Sequence, residues 1–330
     1  MLIRDENYCQ QLSSRLSVTY VTTTMKYATR LNSYVADGRD VATALKDIAA
    51  TGSIKYVDLN YPEHFSQMSI DDMRQLLADL GLTLNSVAMR FRKEFIHGEY
   101  TNRDPELSRK AIELTKEGID ATAALGCDLV TVWLGYDGYD YTFQKDYVAG
   151  LNQAVAAFQE LADYRPDVRL SIEYKPYEER VHALISSLGI TLHVLNLIDR
   201  PNVGATLDFC HMLMAGDMPG FGAALLLDQG KLWGVHLNDG NNSVDDGLMI
   251  ASVHPWETAE FLYYLLRHNY DAVIYFDTFP KREEAAAEAV ANADTVDLLV
   301  SKLENYGVDK ITALIQEADG VKSQLFRNAL

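Results

Sequence analysis

Val168-Arg169-Leu170-Ser171-Ile172-Glu173-Tyr174-Lys175-Pro176 is a short apolar run that stops on a carboxylate and is closed by a proline. Strand geometry throws Glu173 and Lys175 to the same face, and Pro176, which lacks an N–H, ends the pairing there. The pattern recurs downstream. Gly204-Ala205-Thr206-Leu207 leads into Asp208, residues 232–235 into His236, and 273–276 into Asp277. Each run gives way to polar sequence and then to a stretch with helical spacing. Side chains that can ligate a hard divalent cation, each at the C-terminal end of a strand, collect at one mouth of a parallel β/α structure.

Outward from these runs the alternation continues. Strand-like segments fall at 18–23, 54–59, 82–88, 129–134, 168–172, 203–207, 232–237 and 272–276. Between them lie helices at 73–80, opened by Ser69 with Asp71 and Asp72 and closed by Gly81, at 105–125 before Gly126, and at 151–164, 256–268 and 283–303. Caps, early acids and terminal glycines set these ends. Strand and helix alternating eight times without a low-complexity linker predict one (β/α)8 TIM barrel domain over 1–330. Its core runs from about residue 17 to about 303, after a polar N-terminal helical extension and before a C-terminal helical extension over 304–330. Residues 215–220 read as an active-site loop.

Composition excludes several function classes. The 330 residues are 48% hydrophobic and 23% charged, as in a folded chain with a sizeable core. A net charge of −18 without a basic cluster argues against a nucleic-acid partner. No apolar run reaches the ~20 residues of a membrane span, and the first residues lack signal-peptide features, so a cytoplasmic location is expected. Neither a GxGxxG nor a Walker A pattern follows a strand, so no nucleotide cofactor is indicated. Cys9, Cys127 and Cys210 suggest neither disulfides nor a thiolate site. Cys210, between Asp208 and His211, reads as a small buried hydrophobe.

The metal chemistry follows from ligand type. Glu173, Asp208, His236 and Asp277 form a carboxylate–imidazole set suited to Mn²⁺, Co²⁺ or Mg²⁺, with Zn²⁺ also possible. In Asp208-Phe209-Cys210-His211 the imidazole can reach the same cation or a second one nearby. Asp245, in Asp245-Asp246-Gly247-Leu248, is a further oxygen ligand, whereas Asp239 reads as a solvated loop acid. His97 and His254 read as exposed loop residues. Trp133, before Asp137-Gly138, is either core or a wall for a sugar ring. Such a site polarises a carbonyl and supports aldose–ketose isomerisation or epimerisation. Hydrolysis of a phosphodiester would use similar ligands but conflicts with the charge.

In order along the chain, Trp133 to Tyr141 with Gln144, Glu173-Tyr174-Lys175 with Glu178, Asp208-x-x-His211, His236-Leu237-Asn238 and Asp245 to Val253 resemble the xylose-isomerase-like TIM barrels, and within them the L-rhamnose isomerase branch. The resemblance implies one metal held by Glu173, Asp208, His236 and Asp277. It implies a second held by His211 and Asp245, with Lys175, His211 and Trp133 facing the substrate. It departs at Gly247, where a second acidic-loop ligand is expected. One-metal proton transfer, with Glu173 and Asp277 as the acid/base pair, therefore stays open beside a two-metal hydride shift. The expected protein is a metal-dependent sugar isomerase, Mn²⁺-activated, acting on a free sugar and forming a dimer or tetramer. A sugar 3-epimerase and a non-catalytic sugar-binding barrel are the alternatives.

Overall fold

The computed structural model describes residues 25–35 and 38–330. Strands β1 (Lys26–Arg30), β2 (Tyr56–Tyr61), β3 (Thr83–Met89), β4 (Leu129–Val132), β5 (Arg169–Glu173), β6 (Val203–Asp208), β7 (Leu232–Leu237) and β8 (Val273–Phe276) pair in sequence order. They are parallel throughout, and β8 returns to β1, closing a (β/α)8 barrel.

Seven of the strands lie where alternation placed them. The first does not. Residues 18–23, with the N-terminal helical extension, lie outside the described residues, and the first barrel strand is Lys-Tyr-Ala-Thr-Arg at 26–30. Its two charged ends hide a buried centre, Tyr27, Ala28 and Thr29. The barrel itself makes this a strand, because it pairs with Val57 on one side and Tyr275 on the other.

The helices are α1 (Val41–Ala50), α2 (Ile70–Leu80), α3 (Pro105–Ala124), α4 (Tyr147–Tyr164), α5 (Leu188–Ile198), α6 (Phe209–Ala215), α7 (Pro219–Asp228), α8 (Pro255–Arg267) and α9 (Ala285–Tyr306). Ser69 caps α2 by accepting from Asp72 N, and Gly81 closes it in the left-handed region at φ 65°. The expected loop at 215–220 is instead a tight corner. Gly216 ends α6 at φ 73°, and Pro219 starts α7 at a position where its missing N–H costs nothing. Asp217 within the corner accepts from Tyr174 Oη and Leu188 N, both at 2.9 Å, so the segment is pinned to β5 and α5. Two further helices, α10 (Val308–Glu317) and α11 (Gly320–Ala329), follow the barrel. No single helix among the described residues is long and apolar enough to cross a membrane.

The main core lies between strands and helices, where Val57, Val87, Val130, Ile172 and Val235 meet Leu45, Phe158, Phe261 and Val296. Ala28, Val273 and Tyr275 form a separate small cluster. Barrel-facing hydroxyls link neighbouring strands, Ser86 to Thr131 at 2.9 Å and Ser171 to Thr206 at 2.6 Å. These pairings fix which residues alternate inward. Counting on by two from Ser171, Thr206 and Thr131 gives Glu173, Asp208 and Trp133, so the strands' last inward positions supply the mouth.

Candidate metal centre

Glu173, Asp208, His236 and Asp277 converge at that mouth. One ligand atom from each lies within 4.8 Å of all the others. All four lie at or next to strand ends and are held by hydrogen bonds or ion pairs. His236 Nδ1 is 3.3 Å from Glu173 Oε1. Asp208 caps α6 by accepting from His211 N at 2.9 Å. Asp277 pairs with Arg30 Nε at 3.1 Å.

A second cluster shares Asp208. Asp208, His211 and Asp245 also bring ligand atoms within 4.8 Å of one another. His211 Nδ1 is 3.0 Å from the Tyr174 carbonyl, which can only accept, so that nitrogen carries a proton and Nε2 turns to Asp245 Oδ2 at 3.2 Å. Lys175 reaches Asp245 Oδ2 at 3.1 Å and pairs with Glu178. The other oxygen, Asp245 Oδ1, is buried with no hydrogen-bond partner.

The charges are strongly coupled. Burial opposes the charged form of His236, but Glu173 outweighs it and raises the imidazole to about 10. Burial likewise opposes charge on His211, and Asp208 and Asp245 lift it to about 9. Burial pushes Asp208 up to about 7, despite His211. Burial acts against ionised Asp245 as well, yet His211 and Lys175 hold it well below the usual carboxylate range. Without a metal, two imidazoliums and a lysine thus compensate packed carboxylates. Hard oxygen ligands with imidazole, and one orphaned buried oxygen, fit a divalent cation.

Gly247 sits where the resemblance expects a further ligand. Its φ is +56°, and a Cβ there would lie 2.4 Å from the Phe279 ring. Phe279 N donates to Gly247 O at 2.8 Å, so the two loops are tied together. The ring occupies the room a longer side chain would need. His211 and Asp245 are therefore joined only by the shared Asp208 in the second cluster.

A cavity of about 210 Å³ is lined by Glu173, His236, Asp277, His211 and Asp245, with Lys175 and Trp133 on its wall, while Asp208 is buried and does not line it. It also exposes residues the sequence reading passed over: Arg30, Asp58 and Arg90. Asp58 accepts from Asn85 Nδ2 at 2.8 Å, and burial pushes its carboxyl up to about 7 against the pull of His236. Arg30 belongs to the misplaced first strand, Asp58 sits inside a run read as apolar, and Arg90 lies just beyond one. Alternation along correctly placed β1, β2 and β3 would have found all three.

Asn238 is another. Fully buried, it donates from Nδ2 to Asp208 Oδ2 at 3.0 Å and to the Asp277 carbonyl at 3.2 Å, and its Oδ1 accepts from Cys210 N at 2.8 Å. It orients two metal-ligating candidates at once. Removing such a support costs about 10- to 100-fold in metal affinity. Asn238→Ala is expected to weaken Mn²⁺ binding by that factor in a calorimetric titration while the far-ultraviolet spectrum stays unchanged; unaltered affinity would refute the role.

Several loop residues need correction. Asp239 is not solvated: it is fully buried and accepts from Val253 N, His254 N, Gly240 N and the His254 ring, leaving no lone pair directed to the mouth. His254 is accordingly not an exposed loop residue; its side chain is 16% exposed. His97 is exposed as expected. Cys210 is buried, its thiol donating to Val244 O at 3.4 Å, and burial raises it to about 12.

His64 gives the fold a pH dependence. Buried at 3% exposure, its Nδ1 accepts from Asn60 N at 2.9 Å and its Nε2–H donates to Asn32 at 2.7 Å. Burial, then Arg90 and Arg30, lower it to about 4. The unfolded chain binds this proton first, so the stabilisation is complete above about pH 6.5 and is lost as pH falls towards 4, a change of roughly 3 kcal/mol. In chemical denaturation, wild type should lose that much more stability than His64→Gln between pH 7 and pH 4; parallel profiles would contradict the assignment.

The arrangement can be set beside known proteins. A xylose isomerase of Thermus thermophilus is 28% identical over 221 residues, 64% of this chain, and the match spans 57% of that relative's length. A xylose isomerase domain protein from Alicyclobacillus acidocaldarius superposes with a TM-score of 0.66 at 18% identity, covering 84% of this chain and 98% of that one. A D-allulose 3-epimerase from Methylomonas sp., solved with D-allulose, superposes with a TM-score of 0.64 at 19% identity over 86% of this chain and 96% of that one. The closed barrel and these likenesses agree with the family's sequence model, which matches residues 45–295, and this chain belongs to the xylose isomerase-like TIM barrel family.

Proposed function

We propose that the protein is a divalent-metal-dependent sugar isomerase interconverting an aldose and a ketose, with a free monosaccharide or deoxysugar as substrate, as the likeness to the L-rhamnose isomerase branch implies. The observation that carries this reading is the convergence of ligand atoms from Glu173, Asp208, His236 and Asp277, three of which, all but Asp208, line one cavity with Lys175 and Trp133. These four residues would hold the cation, with His211 and Asp245 beside Asp208 as a less complete second set. A bound Mn²⁺, or Co²⁺, Mg²⁺ or Zn²⁺ in its place, would polarise the sugar carbonyl. Lys175, kept charged by Asp245 and Glu178 despite its burial, would donate to a substrate oxygen. Trp133 would bound the apolar face of the sugar, and His211 would face a substrate hydroxyl with Nε2 where no second cation is bound.

A second reading rests on Gly247 and Phe279. With the fourth ligand position of the second cluster filled by an aromatic ring, proton transfer between Glu173 and Asp277 across the substrate supports a 3-epimerase. The two readings separate by isotope. Pentoses, hexoses and deoxyhexoses incubated with enzyme and Mn²⁺ in D₂O are followed by NMR. Aldose–ketose exchange supports the isomerase, and deuterium entering C3 of a ketose supports the epimerase. Chelator should abolish either activity and added Mn²⁺ restore it. No turnover of any sugar with any of the named metals would leave the non-catalytic sugar-binding barrel.

A further inference from the structure

The cavity holds three permanent cations, and two have acidic partners inside it. Arg30 pairs with Asp277, and Lys175 pairs with Asp245 and Glu178. Arg90 is different. Its backbone N is tied to the Tyr61 carbonyl at 2.9 Å, so the residue extends β3 alongside β2. Alternation from Ser86 through Ala88 turns its side chain inward, onto the wall that also carries Asn60. There the guanidinium lies 5.4 Å from the centre of the Trp133 ring. Among the described residues it makes no ion pair, and its Nε is buried with no hydrogen-bond partner.

In a chain with 47 acidic and 29 basic side chains, an acid could readily have been placed opposite this guanidinium. A buried donor without a partner costs about 1–3 kcal/mol, more when the group is charged. Arg90 also lines the cavity, where a ligand can supply acceptors to the guanidinium. The guanidinium is a planar fork that matches a carboxylate through two parallel hydrogen bonds. A neutral hydroxyl would accept a single bond and leave the charge unmatched.

We propose that Arg90 is the specificity-determining residue of the cavity and that the substrate is an acidic sugar whose carboxylate binds it. This rests on the sugar-isomerase reading for the polyhydroxyl body of the substrate and adds the charge at its end remote from the carbonyl. One guanidinium balances one negative charge, which favours a carboxylate over a doubly charged phosphoryl group. The aromatic wall of Trp133 excludes water from one side of the pair and strengthens it.

Matched hexose and hexuronate pairs test this, because each pair differs only in whether C6 is a hydroxymethyl or a carboxylate. Glucose with glucuronate, galactose with galacturonate and mannose with mannuronate are titrated calorimetrically into the Mg²⁺-loaded protein, and glucose 6-phosphate is the third arm. At least one uronate is expected to bind roughly 10- to 100-fold more tightly than its neutral partner. Arg90→Met should remove that preference, and Arg90→Lys, the milder change should the first fail to fold, should keep only part of it. Equal affinity across every pair, a preference that survives in Arg90→Met, or tighter binding of glucose 6-phosphate would each overturn the proposal. Turnover of neutral sugars without a uronate preference would overturn it and leave the isomerase reading intact. Uronate preference without turnover would do the reverse.

Discussion

Glu173→Gln is expected to lower sugar turnover by ~10³-fold or more, because one carboxylate serves three ends. It offers a ligand atom to the four-residue cluster, it lies 3.3 Å from His236 Nδ1, and it sits 3.6 Å from His211 Nδ1. Burial acts against its charge, but His236 and His211 hold it down at about 2, so it is ionised at any working pH. An amide keeps the shape and loses the charge. The His236 imidazolium then loses its main counter-charge, and Mn²⁺ affinity should fall along with turnover. Metal content by elemental analysis, with turnover by NMR at saturating Mn²⁺, separates lost binding from lost proton transfer. Full turnover in the variant would remove Glu173 from the chemistry.

Asp137→Ala is expected to carry the largest stability cost, about 3–5 kcal/mol. The carboxylate is buried and receives Glu99 N at 2.8 Å, Tyr100 N at 3.0 Å, Thr101 N at 3.0 Å and Thr101 Oγ at 2.7 Å. Glu99 answers from the other side, both of its oxygens accepting from Tyr136 N at 3.0 Å. Loss of Asp137 leaves three buried amide groups without acceptors and frees the segment after β4 that begins with Trp133. A melting point lower by ~4–7 °C should follow for a chain of this size. A drop corresponding to less than ~1 kcal/mol would mean that water replaces the carboxylate.

The convergence of the four strand-end candidates was legible because each ends an apolar run, and a polar residue at that boundary has few structural uses. Helices with explicit caps, such as α2 after Ser69, were legible for the same local reason. What escaped the sequence depends on neighbours far along the chain. Lys26–Arg30 becomes a strand only through β2 and β8, and Arg30 reaches the cavity only with it. Asp239 has the composition of a surface loop, yet it is buried by the turn that returns from Val253 and His254. Asn238 was visible in a motif, but its role in joining Asp208 to the Asp277 carbonyl exists only once β6, β7 and β8 are adjacent.

The contact between Gly247 and Phe279 also limits the routes by which this barrel could change. Any single substitution at position 247 meets both a left-handed backbone and an aromatic ring, so an acidic side chain there is penalised before it can bind anything. Phe279 would have to shrink first, and that step would strip the apolar platform from beneath the Arg30 guanidinium, 4.5 Å from the ring centre, while offering no immediate gain. A descendant of this chain with a complete second metal site would thus lie at least two changes away, across an intermediate poorer than either end.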